Sequence, residues 1–273
     1  MSLFEVIVLG IVQGLTEFLP ISSTAHLVLI PRLFWGNDPG LAFDIALHVG
    51  TLAAVLIYFF RDWVQIVAQG FGLEWGSDPV LQRNRMLLWW LVLGTIPAGI
   101  VGLLFEKQAD STLRTPFVIG SALILVGLFM WWADRASRGK CDMGAVSAPD
   151  SVVIGAAQAL AVIPGVSRSG ITISAGLSRN LDRPTAARFS FLLSTPIILG
   201  AGAKDAWDLF RHQGGVPHAL QVDFAVGIAV SAIVGFLTIA FFLNFLRRRT
   251  LAFFVAYRIV FGIIVFALAK YFR

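Results

Sequence analysis

The chain has 273 residues, 57% of them hydrophobic and only 14% charged, with a mean hydropathy of +0.80. A soluble domain carries roughly 25% charged residues, so this composition excludes one and describes a single polytopic helical membrane domain over 1–273. The net charge of +5 fits basic cytoplasmic loops better than nucleic-acid binding, and the single cysteine, Cys141, excludes an intramolecular disulfide framework or a Cys-rich metal site.

The first segment, MSLFEVIVLG, has no basic stretch ahead of its apolar run and reads as mature chain rather than a cleaved signal. Residues near 1–30 are apolar but interrupted by Pro20 and a polar cluster, which predicts a broken or re-entrant helix. Spanning helices are expected at Leu41–Phe60, Met86–Phe105 and Pro116–Ala133. A polar loop over 134–150 leads to a second interrupted apolar region, 151–178. Three more spans follow, at Ala187–Ala203, Phe224–Asn244 and Leu251–Ala269. The expected fold is therefore all-α, with six transmembrane helices and two broken or re-entrant helix pairs. Non-helical backbone at membrane depth is stable only where protein buries it or where it lines a cavity.

Basic residues orient these elements. Arg61, Arg83, Arg85, Arg135, Arg138, Lys140, Arg179, Arg183, Arg188 and Arg247–Arg249 place twelve cations on one side. Arg32, Lys107, Arg114, Lys204, Arg211, Lys270 and Arg273 place seven on the other. The richer side is expected to be cytoplasmic. Alternation through the spans then makes the two broken regions enter from opposite faces. An internal repetition agrees: QGLTEFLPISST (13–24) lies over QALAVIPGVSRS (158–169) at an offset of 145. FDIALHVGTLAAV (43–55) resembles FSFLLSTPIILGA (189–201), AGIVGLL (98–104) resembles SAIVGFL (231–237), and FVIGSALILVG (117–127) faintly resembles FFVAYRIVFGI (253–263). Two repeats, about 1–133 and about 151–273, joined by a cytoplasmic loop at 134–150, are the expectation. Inverted-topology repeats place a site near the midplane, where broken helices meet.

Both breaks carry chemistry. Gln13 and Glu17, at i and i+4, share a helix face; Pro20 ends that helix, and Ser22, Ser23 and Thr24 are N-cap residues for the next, with His26 in its first turn. The second cluster is PGVSRSGIT, Pro164–Thr172, where Ser167 and Ser169 can cap a helix and Gly165 and Gly170 allow close backbone approach. Helix N-termini favour anions, and Arg168 forks two hydrogen bonds onto phosphate. Glu17 would repel that phosphate, so it calls for a divalent cation between them or an acid–base role. Bland readings stand beside these: hydroxyls bonding local backbone, a structural Arg168–Glu17 ion pair, His26 as a packed polar group, Gln13–Glu17 as helix glue. Asp44 and His48, also at i and i+4, are weaker candidates. Arg258 beside Tyr257 reads chiefly as structural.

QGLTEFLPISSTAH and PGVSRSGIT resemble the two signature regions of the bacterial undecaprenyl-pyrophosphate phosphatase family, the integral membrane type linked with bacitracin resistance. The likeness runs over essentially the whole chain, FSFLL…P from Phe189 included. The departure is Gln13, where some members have Glu, which leaves Glu17 the motif's only carboxylate. The resemblance implies hydrolysis of undecaprenyl diphosphate to the monophosphate carrier of cell-wall assembly, dependence on a divalent cation such as Mg2+ or Ca2+, and a site opening to the periplasmic side of the bacterial inner membrane. Bacitracin is then expected to compete for the lipid and not to bind the protein; a homodimer is left open.

On that reading Arg168 and the amides of Ser167–Gly170 bind the phosphates, and Glu17 with Gln13 holds the metal or positions a water. Ser23 attacks phosphorus with His26 as base or leaving-group acid, His26 as direct nucleophile being the alternative; Ser22, Thr24, Ser169 and Thr172 are secondary ligands. The competing class is a polyprenyl-phosphate flippase built on the same inverted-repeat phosphate site.

Overall fold

The computed structural model describes residues 1–36, 40–111, 113–212 and 220–269. Among them there is no strand, only an isolated bridge between Cys141 and Leu181. Lys270 and Arg273 of the charge count lie outside the described residues, as does the side chain of Lys107.

The first broken region forms two short helices, α1 (Leu3–Thr16) and α2 (Ser23–Phe34). At ~1.5 Å per residue neither reaches across a bilayer. A reciprocal cap opens α1: Ser2 Oγ accepts from Glu5 N (3.3 Å), and Glu5 Oε2 accepts from Ser2 N (2.9 Å). The span expected at Leu41–Phe60 is α3 (Leu41–Tyr58), which bends by 70° into the amphipathic α4 (Phe60–Gly70). A single turn, α5 (Pro79–Gln82), leads to α6 (Leu87–Ser111) and α7 (Pro116–Ala136), the latter opened by Pro at its first position and by Thr115 Oγ1 accepting from Val118 N. The second broken region is α8 (Ala148–Ala159), a 3-10 turn (Leu160–Val162) and α9 (Arg168–Ser178). Long helices α10 (Arg183–His212) and α11 (Gln221–Leu246) follow, then α12 (Ala252–Leu268).

Four of these helices are long and apolar enough to cross a membrane, five if the bent α3–α4 pair is one span. The expected sixth, α12, has 17 residues, at the short limit for crossing.

Packing pairs the two halves crosswise. α1 lies along α11 and α8 along α6; α3 contacts α11 as α10 contacts α6, and α7 pairs with α12. The crossings are glycine contacts: a Cβ on Gly155 would sit 2.2 Å from Gly94 O, and one on Gly10 3.3 Å from Gly227 O. Gly10 and Gly155 match at the 145-residue offset, and Gly94 and Gly227 match when the alignment of 98–104 with 231–237 is extended. Small residues let backbones touch where lipid supplies no hydrophobic drive between helices.

Several arginines of the basic face are tied to aspartates: Arg183 to Asp134 (2.5 Å), Arg179 to Asp150 (2.7 Å), Arg83 to Asp142, and Arg188 to both Asp62 (2.7 Å) and Asp78 (2.9 Å). Asp134 also accepts from Leu251 N (3.0 Å), which fixes the entry to α12.

Candidate active site

The two breaks meet inside the bundle. At each one the helix-initiating residue is a serine with positive φ, Ser22 at 75° and Ser167 at 67°, and these two lie 145 positions apart. Left-handed backbone is costly for a residue with a Cβ, so both turns are held by what surrounds them. Gly165 (φ 94°) completes the second turn, where a Cβ would press within 2.6 Å of Ile119 O on α7. Arg258 of α12, fully buried, ties the breaks together. Its Nη1 donates to Pro20 O (3.2 Å) in the first; its Nη2 donates to Gly165 O (2.9 Å) and Val166 O (3.0 Å) in the second. Further bonds reach Ala122 O and Leu123 O of α7. The structural reading of Arg258 is the one its bonds describe.

Glu17 follows α1 directly and is buried. One carboxylate oxygen, Oε1, forms an ion pair with Arg168 Nη2 from the opposite break. The other, Oε2, accepts from Ser23 Oγ (2.7 Å) and Gln13 Nε2 (3.1 Å), and His48 Nε2 lies 3.6 Å from it. His48 is held by its other nitrogen, which donates to Asp44 O (2.7 Å). Gln13 also reaches Thr51 Oγ1 (3.5 Å). The Glu17–Arg168 ion pair weighed as a structural possibility is present, with a hydroxyl on the same carboxylate.

Glu17, Ser22, Ser23, Thr24, Ser167, Arg168 and His48 line one cavity of about 360 Å³. Its remaining wall is mainly apolar, including Leu27, Ile45, Ala98, Ile163, Ile197 and Ile198 from α2, α3, α6, α10 and the second break. Gln13, His26, Ser169, Gly170 and Thr172 do not line it. His26 Nδ1 lies 2.7 Å from the backbone oxygen of Ser22, which can only accept, so Nδ1 carries the proton and Nε2 accepts from the Tyr257 hydroxyl (2.6 Å). The ring also stacks on Phe261. Both nitrogens are engaged away from Ser23, so the expected Ser23–His26 pair is replaced by Ser23–Glu17. Ser169 donates to Leu19 O (3.1 Å), binding one break to the other, and Thr172 hydrogen-bonds Arg168 O (2.7 Å) and Ser190 Oγ (2.5 Å). On α9 the turn's first two residues face the cavity, and the helical rotation sends the next ones into the bundle. Ser167, as expected, caps α9 by accepting from Gly170 N (3.2 Å); Ser22 has no such side-chain bond.

Sequence reasoning passed over Thr51 and Tyr257, ordinary membrane-helix residues whose partners are 38 and 231 positions away. It ranked His48 low, although i, i+4 spacing from Asp44 was visible.

The chain matches the family described as bacitracin resistance protein BacA over residues 6–264. It belongs to that family. A relative from Moorella thermoacetica, named undecaprenyl-diphosphatase, is 47% identical over 267 residues, covering 98% of each chain. One from Pelotomaculum thermopropionicum with the same name is 46% identical over 269 residues, 98% of this chain and 97% of the relative. A third, from Stutzerimonas stutzeri and named undecaprenyl-diphosphatase 2, is 46% identical over 275 residues, 98% of each chain. Both breaks, at Ser22 and at Ser167, fall within the matched BacA span.

Proposed function

We propose that the chain hydrolyses undecaprenyl diphosphate to undecaprenyl phosphate and inorganic phosphate, recycling the lipid carrier of cell-wall synthesis. One observation carries the reading in chemical terms. A buried carboxylate holds a serine hydroxyl and an arginine from the opposite repeat, in a cavity whose remaining lining is mainly apolar. A diphosphate head with a prenyl tail has that division of polarity. The relatives' names supply the lipid, and a flippase gains no support from them.

In the mechanism, Arg168 and the first-turn amides of α2 and α9 bind the phosphates and stabilise the charge that spreads over the transferring phosphoryl group. Ser23 Oγ attacks the terminal phosphorus as its proton passes to Glu17 Oε2. The bridging P–O bond breaks, and undecaprenyl phosphate leaves as an anion that needs no proton at neutral pH. Glu17 passes that proton through His48, beside Oε2, to solvent and then takes one from the water that attacks the phosphoserine; the P–Oγ bond breaks, the proton returns to Ser23 Oγ, and inorganic phosphate leaves. His26 acts through the Ser22 carbonyl, holding the strained turn, rather than on the substrate.

A divalent cation fits the donor chemistry at Glu17 and Gln13. Gln13 Oε1 is buried beside the carboxylate with no hydrogen-bond partner among the described residues, and hard oxygens suit Mg2+ or Ca2+. No group of three or more His, Cys, Asp or Glu forms a cage among the described residues. When bound there, the ion supplies neutralisation of phosphate charge.

The finer architecture belongs to the same proposal: six spans, two inverted repeats, an inner-membrane location and a periplasmic mouth. The crosswise helix pairing and the matched Ser22 and Ser167 turns support the repeats. The measurement is phosphate release from undecaprenyl diphosphate by purified protein in detergent. Glu17→Gln is expected to lower turnover by about 10² to 10⁴-fold, as loss of a general base does, and Arg168→Ala by about 10³-fold or more. Near-normal turnover in either folded variant rejects this site.

A further inference from the structure

The second repeat holds a group that the mechanism above leaves idle. Gln158, near the end of α8, is 2% exposed and lines the same cavity as Arg168 and Ser167. Neither end of its amide, Oε1 or Nε2, has a hydrogen-bond partner among the described residues. Buried amides are nearly always paired, because an unpaired one forfeits its water bonds with nothing in return.

The repeat explains how the amide came to be without a partner. Gln158 is the counterpart of Gln13 at the 145-residue offset, and Gln13 Nε2 spends its hydrogens on Glu17 (3.1 Å) and Thr51 (3.5 Å). The position matching Glu17 in the second repeat is Val162, which also lines the cavity. A carboxylate partner is therefore missing at that position, while the amide remains, on a residue that lines the cavity. The same cavity is lined by Arg168 and by Ser167 at the α9 N-terminus, groups that suit an anion.

We infer that Gln158 is a substrate-binding residue for the diphosphate head, its Nε2–H2 donating to non-bridging phosphoryl oxygens and its Oε1 accepting from phosphate-bound water. The assignment rests on the phosphatase reading. It divides the site between repeats: the first contributes the carboxylate and the attacking hydroxyl, the second the arginine and an amide that grips the phosphate. An amide adds no charge, so Gln158 selects for a group with several acceptor oxygens without over-stabilising the ground state as a second cation would.

The test uses Gln158→Leu, which deletes both polar ends, and Gln158→Glu, which keeps the shape but replaces the donor with a carboxylate. KM and kcat for undecaprenyl diphosphate are read with the Tm of the substrate-free protein and its rise on adding inorganic pyrophosphate. Loss of a hydrogen bond to a charged group predicts a KM raised about tenfold or more, with kcat changed much less. The pyrophosphate-induced rise in Tm should vanish. Because the amide has no partner among the described residues, Gln158→Leu should leave the substrate-free Tm equal to or above that of the wild type. A KM within threefold of wild type in both variants overturns the assignment. So does a raised KM accompanied by a lower substrate-free Tm in both, which is the mark of a packing role. Failure of the wild type itself to release phosphate sinks the phosphatase reading instead, so the two failures are told apart.

Discussion

At the scale of single residues, the site is economical because each polar group answers to a specific neighbour. Glu17 gives one oxygen to Arg168 and the other to Ser23, Gln13 and His48, so its two faces belong to opposite repeats. Arg258 does the corresponding work behind the site, where its guanidinium collects carbonyls from both breaks. A planar fork with five donors can serve several carbonyls at once; an ammonium cannot. Arg258→Met is therefore expected to destabilise the protein by about 3 kcal/mol or more, the cost of stranding three buried carbonyls of the breaks. Arg258→Lys should fall between. Thermal unfolding in detergent, followed by tryptophan fluorescence, checks the order; a methionine variant as stable as wild type contradicts the role.

At the scale of elements, contact between helices depends on glycine where backbones touch. The α6–α8 crossing has no room for a methyl group at Gly155, since its Cβ would meet Gly94 O at 2.2 Å. Gly155→Ala must push α8 off α6, and overpacking of this kind costs about 1–3 kcal/mol. A lower Tm together with loss of turnover is expected, because α8 carries one wall of the cavity. Gly102, inside α6 with open space around it, is the control: Gly102→Ala should leave Tm equal to or above that of the wild type. The loop elements are set by charge instead. Burial pushes the carboxyl of Asp78 up, but hydrogen bonds from Arg188 and from Val80 N outweigh it and hold the group below its ordinary value of 3.8. A lowered carboxylate pKa means the charged form favours the fold. That contribution is present above the ordinary value and fades as pH falls through the folded one. Tm should therefore drop on acidification below about pH 4, and Asp78→Asn should be less stable than wild type at pH 7 and show a shallower drop. Equal slopes for the two proteins would contradict this.

At the scale of the whole molecule, orientation can be read with the native thiol. Cys141 sits partly exposed in the loop expected to be cytoplasmic, and the chain has no other cysteine. A membrane-impermeant maleimide should label it in inside-out vesicles and leave it untouched in right-side-out ones. The reverse pattern inverts the proposed topology and moves the site's mouth to the cytoplasm.

Much of this architecture was legible in the sequence, for physical reasons. Lipid demands long apolar helices, so Met86–Phe105, Pro116–Ala133, Ala187–Ala203 and Phe224–Asn244 announce themselves by composition. Pro31, Pro97 and Pro196 ride inside helices, so proline alone does not mark a break. Pro20 and Pro164–Gly165 mark the breaks because polar clusters follow them, and ionisable residues are too costly in lipid to be incidental, so Glu17 and Arg168 stood out. The first span was expected to end at Phe60, beside the bend, but the helix that follows, α4, was hidden because its polar residues (Arg61, Asp62, Gln65, Gln69) read as loop. The partners of the polar groups were hidden too. Which hydroxyl meets Glu17, which way His26 turns and what Arg258 binds depend on contacts made 6, 231 and up to 238 positions apart. Sequence by itself determined that two polar breaks exist and which residue types they carry, since solvation energy is written into composition and order. Only the tertiary structure decided that Ser23 and not His26 lies against Glu17, and that Gln158 lines the cavity, because hydrogen-bond geometry is settled by how the packed helices bring distant side chains within 3 Å or so of one another.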